Sequence, residues 1–281
     1  MKWMPLVFGA VAILVILTIN AAHVINSYIH PTRYVSEETP ARFAMEYDDV
    51  EITTEDGVRL SAWYVPAPKK VDQAIVVLHG YPFDKGNMLE MTQFLHEDYN
   101  LLYVDFRAMG KSEGGFSSLG FHEQKDVRAA VQYLEGQDVG VFGISMGAAA
   151  SLLALPEMDV KAVVADSSYA SLEDMLLHTY GGGIIAQIVA FPVKLLAKVW
   201  PGIDINKVMP VKSVEKTNTP ILLVHGSKDN QVPVEHSEMI VKAAKNAELW
   251  VVDTKHVDAH VAYNGDYEKK VLLFLRTHFK Q

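Results

Sequence analysis

Six short runs of aliphatic residues recur through the chain, at Ala74–Leu78, Leu101–Val104, Val139–Phe142, Ala162–Ala165, Ile221–Val224 and Leu249–Val252. None alternates with polar residues as a strand with one wet face would, so each reads as a strand buried on both sides. Helical patterns lie between them, at Met88–His96, His122–Leu134, Ala148–Leu155, Val234–Lys245 and Tyr267–Phe279. Strand and helix in alternation predict an α/β fold whose mostly parallel sheet is covered on both faces. Two further runs, Val50–Thr54 and Leu60–Val65, flank Glu55-Asp56-Gly57, a turn signal that predicts an antiparallel opening and a total of about eight strands. In such a sheet ligands gather beyond the carboxyl ends of the strands, so the residues just after each run are the ones to inspect.

The first residues follow a different rule. From Trp3 to Tyr28 there is no Asp, Glu, Lys or Arg, and Leu6–Ile19 is almost wholly apolar. A helix of roughly 20 to 25 residues spans the ~30 Å hydrocarbon core of a bilayer, with Trp3 and Tyr28 at the two interfaces. A cleaved signal peptide is the alternative, but its apolar region is shorter and no small-x-small cleavage site stands out around Ile19–Val24. Residues 1–29 are therefore expected to be a single-pass membrane anchor and 30–45, with Pro31 and Pro40, a linker. Residues 46–281 are expected to be the catalytic domain. Lys2 before the helix favours an inside amino terminus and an extracytoplasmic domain. A net charge of −9 argues against a nucleic-acid partner, since phosphates need clustered Lys and Arg. The absence of cysteine excludes disulfides, thiolate metal sites and a Cys nucleophile.

Directly after the Val139–Phe142 run stands Gly143-Ile144-Ser145-Met146-Gly147, followed by Ala148-Ala149-Ala150. A G-x-S-x-G between strand and helix is a nucleophile elbow, where the glycines allow a turn too tight for side chains and the serine projects into the cleft. A dinucleotide-binding turn would instead need G-x-G-x-x-G. After Ile221–Val224 comes His225-Gly226-Ser227-Lys228-Asp229, which places Asp229 where an orienting carboxylate belongs, with capping of the helix that begins near Pro233 as its alternative role; Asp166 is the runner-up acid. After Leu249–Val252, His256 and His260 both offer an imidazole, with His256 the nearer to the strand end. The order Ser, Asp, His matches the triad order of this site type. Two imidazoles four apart could also hold a metal, but the glutamate of H-E-x-x-H is missing and no metal is expected. An oxyanion donor is worth roughly 3 to 4 kcal/mol. The backbone N–H groups of Met146 and Tyr81 are the candidates, since Pro82 has none. His79 reads as a loop-fixing residue, and Asp105 and Arg107 as a pair that braces the site.

The set His79-Gly80-Tyr81, Asp105-x-Arg107-x-x-Gly110-x-Ser112, Gly143-x-Ser145-x-Gly147, His225-Gly226-x-x-Asp229-x-x-Val232-Pro233 and His256-Val257-Asp258-Ala259 resembles the α/β-hydrolase superfamily, from about Glu46 to the end. Within it the chain looks most like bacterial membrane-anchored proteins described as esterases, lipases or serine aminopeptidase-like. The resemblance implies the α/β-hydrolase fold and a Ser145–His256–Asp229 triad, and leaves the substrate open. The family pattern has glycine before the base histidine; Lys255 stands there instead, which keeps His260 in contention. Between residues 169 and 218 the alternation pauses, and apolar stretches such as Gly183-Ile184-Ile185 and Ile188–Phe191 predict a small helical lid, or else helices packed plainly on the sheet, or an apolar face that touches the bilayer next to the anchor and gives access to lipid substrates. The expectation is hydrolysis of short to medium acyl esters without a cofactor. Amide or peptide cleavage by the same residues, and a non-catalytic membrane-tethered binding protein, are the alternatives.

Overall fold

The computed structural model describes residues 4–279, so Lys2 and Trp3, which carry the expected orientation and one expected interface, lie outside the described residues. One sheet of eight strands has the order β1-β2-β4-β3-β5-β6-β7-β8. The strands are β1 (Asp48–Thr53), β2 (Arg59–Val65), β3 (Gln73–Leu78), β4 (Asn100–Val104), β5 (Asp138–Ile144), β6 (Ala162–Asp166), β7 (Ile221–Gly226) and β8 (Ala247–Val252). Only β1 with β2 and β2 with β4 pair antiparallel; every other neighbour is parallel. All six aliphatic runs are strands, and β3, β4, β5, β6 and β7 are buried almost without interruption, as expected where helices cover both faces.

The helices are α1 (Met4–Ile29), α2 (Leu89–Thr92), α3 (Glu123–Tyr133), α4 (Met146–Ala154), α5 (Leu172–Thr179), α6 (Gly183–Val199), α7 (Pro210–Val214), α8 (Glu235–Ala243), α9 (Ala259–Ala262) and α10 (Asn264–His278). Two separate cores result. One, with Val76, Val104, Val141 and Val163, lies between the sheet and the α3, α4 and α8 side; the other, with Ile75, Phe142, Val224 and Tyr267, lies under α10. The predicted helix at Met88–His96 is broken into 3-10 turns on either side of a one-turn α2. The segment between β1 and β2 is a five-residue loop with Gly57 at φ 82°, longer than the two-residue turn its Asp-Gly signals.

Val7–Ile29 within α1 has a mean hydropathy of 2.2 and is long and apolar enough to cross a membrane. Its last two turns do not stand apart from the domain. Ala21, Ile25 and Ile29 are buried against Val193 and Ala197 of α6 and against Ile203 and Ile205. From Met4 to Asn20, no residue whose side chain is described is buried.

Deep charges tie the first half of the sheet together. The Lys85 ammonium, 2% exposed, donates to Asp105 Oδ2 at 2.5 Å and to Ser61 Oγ at 2.9 Å, and lies 4.6 Å from the Trp63 ring centre. Asp105 also accepts from the Lys85 and Lys111 amides. Arg107 turns the other way, to Asp126 at 2.6 and 2.8 Å and to Asp56 at 2.9 and 3.0 Å. The expected Asp105–Arg107 pair is therefore not formed; each takes a partner from a distant segment. Removing one member of a buried pair strands the other charge in a low dielectric, a loss of about 3 to 5 kcal/mol. Lys85→Ala should accordingly lower the unfolding free energy of the detergent-solubilised protein in urea by that amount, and Asp105→Asn in the same chain should recover part of it.

Candidate active site

Strand order reverses beside β3 and β5: β4 follows β3 on one side, whereas β5 and its successors lie on the other. The crevice at such a point is where open parallel sheets bind ligands. Ser145 follows β5 at this position with φ 49° and ψ −114°, a strained conformation for a residue with a Cβ and the hallmark of a serine elbow. Its neighbours make room for it. A Cβ on Gly147 would lie 2.5 Å from the His79 carbonyl oxygen and 2.6 Å from that of Leu78; one on Gly143 would lie 2.7 Å from Gly147. The Ser145 amide donates to the Asp166 carbonyl at 2.8 Å, which fixes the turn to β6.

Loops after β7 and β8 bring the acid and the base. Gly226 passes so close to the Thr254 and Lys255 carbonyls that a Cβ there would approach to 2.4 Å. Asp229 Oδ1 accepts from the Gln231 and Val232 amides, each at 2.9 Å, which leaves Oδ2 for His256 Nδ1 at 2.6 Å. A carboxylate only accepts, so the imidazole proton sits on Nδ1, and Nε2, 3.0 Å from Ser145 Oγ, is free to accept the serine proton. Burial drives the Asp229 carboxyl upward, but hydrogen bonds from His225, His256 and the Val232 amide outweigh it and hold the group well below the usual carboxylate range. The structure thus brings Ser145, His256 and Asp229 together. His260 is elsewhere, its Nδ1 2.9 Å from the Val257 carbonyl oxygen, and no group of three or more His, Asp or Glu among the described residues could hold a metal ion.

Asp166, the other acid considered, makes no hydrogen bond to His256. Its carboxylate accepts from Tyr267 Oη at 2.8 Å and Ser167 Oγ at 2.9 Å, and Ser167 Oγ in turn accepts from the Val257 amide at 3.2 Å. This chain pins the backbone beside His256. Burial raises the Asp166 carboxyl. His225, fully buried, approaches Asp229 Oδ2 to 3.4 Å while bonded to Ser237 Oγ and the Val232 carbonyl. Neither Ser167 nor Tyr267 carries a sequence signal; the motif His225-Gly226-x-x-Asp229 does contain His225.

Of the two expected oxyanion donors, Met146 is the first residue of α4, so its N–H has no acceptor within the helix. The Tyr81 N–H donates to no protein acceptor among the described residues. Gly80 holds that loop against the serine: a Cβ there would lie 3.3 Å from Ser145 Cβ. His79 fixes the loop, accepting from the Phe106 amide at 3.0 Å through Nε2 and reaching the Gly80 carbonyl at 2.8 Å through Nδ1, and its burial lowers its pKa. Ser145 and His256 open into a cavity of about 730 Å³, within the ordinary range for small-molecule sites. Its walls are mainly apolar and come from α5, α6 and, at Val24, Ile25, Tyr28 and Ile29, from the end of α1. Helix α7, by contrast, packs on α4 and α8.

Known proteins match this arrangement. The X-Pro dipeptidyl-peptidase (S15) family matches residues 56–202, just over half of the chain. The chain is 28% identical over 246 residues to YfhR of Escherichia coli O157:H7, covering 81% of this chain and 80% of that one. It is 27% identical over 259 residues to the alpha/beta hydrolase domain-containing protein WAV2 of Arabidopsis thaliana, covering 84% and 81%. Among solved structures, the Pyrococcus furiosus esterase Pf2001 superimposes with a TM-score of 0.73 at 30% identity, over 90% of this chain and 98% of the esterase. Fold, family match and an esterase relative aligned over nearly its whole length lead to one assignment: the chain belongs to the α/β-hydrolase superfamily, in the part of it that the X-Pro dipeptidyl-peptidase (S15) family describes, and is a hydrolase.

Proposed function

We propose that the protein is a serine hydrolase of carboxylic esters with short to medium acyl chains, acting through Ser145, His256 and Asp229. The observation that carries this reading is the relay from Ser145 Oγ through His256 to Asp229, at 3.0 and 2.6 Å, opening into an apolar cavity. Ser145 attacks the acyl carbon as His256 Nε2 takes its proton, and Asp229 stabilises the imidazolium. The Met146 and Tyr81 amides hold the oxyanion, the protonated His256 releases the alcohol, and water then attacks the acyl-enzyme with the same base. Residues 169–218 serve as a partial cap, through α5 and α6.

The S15 match favours a second reading, peptide cleavage with the same groups. The amino terminus of a peptide substrate carries an ammonium that needs a carboxylate partner, and the cavity wall contains no Asp or Glu among the described residues. Its apolar lining instead suits an acyl chain, whose burial is worth roughly 0.8 kcal/mol per methylene.

The proposed domain layout keeps 1–29 as an uncleaved anchor and 30–45 as a linker, supported by the length and apolarity of Val7–Ile29 and by the contribution of Val24–Ile29 to the cavity, which ties the end of that helix to the domain. The catalytic domain then lies outside the cytoplasm. The chain has no cysteine, so Thr32→Cys should react with a membrane-impermeant maleimide added to intact cells; reaction only after lysis would reverse the orientation.

Full-length protein in mild detergent is expected to hydrolyse p-nitrophenyl acyl esters, preferring short to medium chains. Ser145→Ala and His256→Ala should each lower kcat by about 10⁴ to 10⁶, while His260→Ala stays near wild type. Activity on amino-terminal peptide amides alone would install the peptidase reading, and no turnover of either class would install the binding-protein reading.

Asp229→Asn should cost about 10⁴ in kcat, because it no longer selects the Nδ1–H tautomer. The depressed carboxyl also contributes stability that is present above the ordinary value of 3.8 and is lost as pH falls through the lower folded-state value. Denaturation against pH should therefore show wild type more stable than Asp229→Asn at neutral pH, with the gap closing below about pH 4.

A further inference from the structure

Helix α6 is apolar on both sides. Its inward face carries Ala186, Ala190, Val193 and Ala197, all buried. On the opposite face Ile184, Ile188, Phe191, Leu195 and Val199 repeat at helical spacing, each between 53% and 74% exposed, and Ile185 and Trp200 lie beside them. A helix facing water carries polar residues on that face. The only charges of α6, Lys194 and Lys198, are drawn aside into pairs with Glu173 and Asp204. What remains is an apolar strip continuous with α1, since the two helices pack together at Ala21–Ile29.

Length sets the depth of that strip. The part of α1 that stands free of the domain, Met4–Asn20, is 17 residues, or about 25 Å at 1.5 Å per residue. A bilayer core is ~30 Å thick, so a span by α1 draws the Ala21 end, and α6 packed on it, to the membrane surface. Trp200, exposed at the end of α6, is a side chain enriched at that level. The cavity is walled by the same elements: Val24, Ile25 and Tyr28 from α1, and Val193 and Ala197 from α6. An ester of a membrane lipid lies at the boundary of headgroup and acyl chain, where an interfacial helix buries its apolar face.

We propose that the outward face of α6 is seated in the bilayer beside α1 and that the substrate is an acyl ester resident in that bilayer, its acyl chain entering the cavity along the α1–α6 wall. This rests on the ester reading above and names the source of the ester.

The test uses full-length protein in phosphatidylcholine vesicles doped with a fluorogenic medium-chain diacylglycerol, beside water-soluble p-nitrophenyl butyrate. In the variant I184D/I188D/F191D, none of whose positions lines the cavity, turnover of the vesicle-resident ester should fall by about tenfold or more while turnover of the soluble ester stays within about twofold. Equal loss on both, or loss on neither, overturns the proposal. A second measurement reads the seat without catalysis. In Ile188→Cys carrying an environment-sensitive fluorophore, spin-labelled acyl chains should quench the probe, whereas a probe at Lys269→Cys, exposed on α10 and without extensive packing of that helix on α1 or α6, should be unaffected. An unquenched probe at position 188 overturns the proposal, and disulfide cross-linking between two unlabelled Ile188→Cys chains would assign the face to a second copy instead. If wild type fails on p-nitrophenyl butyrate, the ester reading falls, while the quenching result still decides the membrane seat.

Discussion

The contact on which the site depends is the one between β3 and the start of α4. A Cβ on Gly147 would lie 2.5 to 2.6 Å from the His79 and Leu78 carbonyl oxygens, and Gly143 is equally pressed against Gly147. Only hydrogen fits at either position. That approach bends β5 into α4 sharply enough to force Ser145 to positive φ, and it sets the serine hydroxyl, the Met146 amide and the Gly80–Tyr81 loop in one crevice. Backbone strain at a single residue is thus offset by packing that a larger side chain would prevent.

Around that contact, several buried polar groups hold loops. His79 joins the β3 and β4 ends, Lys85–Asp105 joins β2 and β4 to the segment after β3, and Arg107 ties α3 to the β1–β2 loop. Asp166, Ser167 and Tyr267 do the same for the loop that bears His256. His79 at the Gly80–Tyr81 loop, and Asp166, Ser167 and Tyr267 beside His256, act on a catalytic candidate at second hand, through the backbone position each secures.

The sheet was legible because strands covered on both faces leave uninterrupted aliphatic runs, and all six such runs are strands. Ser145 was legible because its turn admits only glycine on both sides, a constraint local in sequence. Asp229 and His256 could be placed on the loops after β7 and β8, since chain order and strand ends locate them, yet the choice between His256 and His260 depends on how the loop after β8 folds. Val257 at φ 58° turns that loop, and no residue type in it announces the bend. The Asp105 and Arg107 partners escaped for a related reason: Lys85 and Asp126 are 20 and 19 residues away, and nothing in the separations marks them as contacts. Helix α6 of the 169–218 stretch was legible as an apolar segment, but α5 was not, and neither was the packing of α6 against α1, because an apolar face does not name its partner.

That packing gives the first helix two jobs at once. Val24, Ile25 and Ile29 hold the chain to α6 and also close one side of the chamber above Ser145. Clipping the polypeptide after Ile29 would therefore do more than remove the proposed anchor: it would open a wall and let water reach the chamber from a new side. On the proposed anchoring, attachment to the membrane and the shape of the chamber depend on the same two turns of helix.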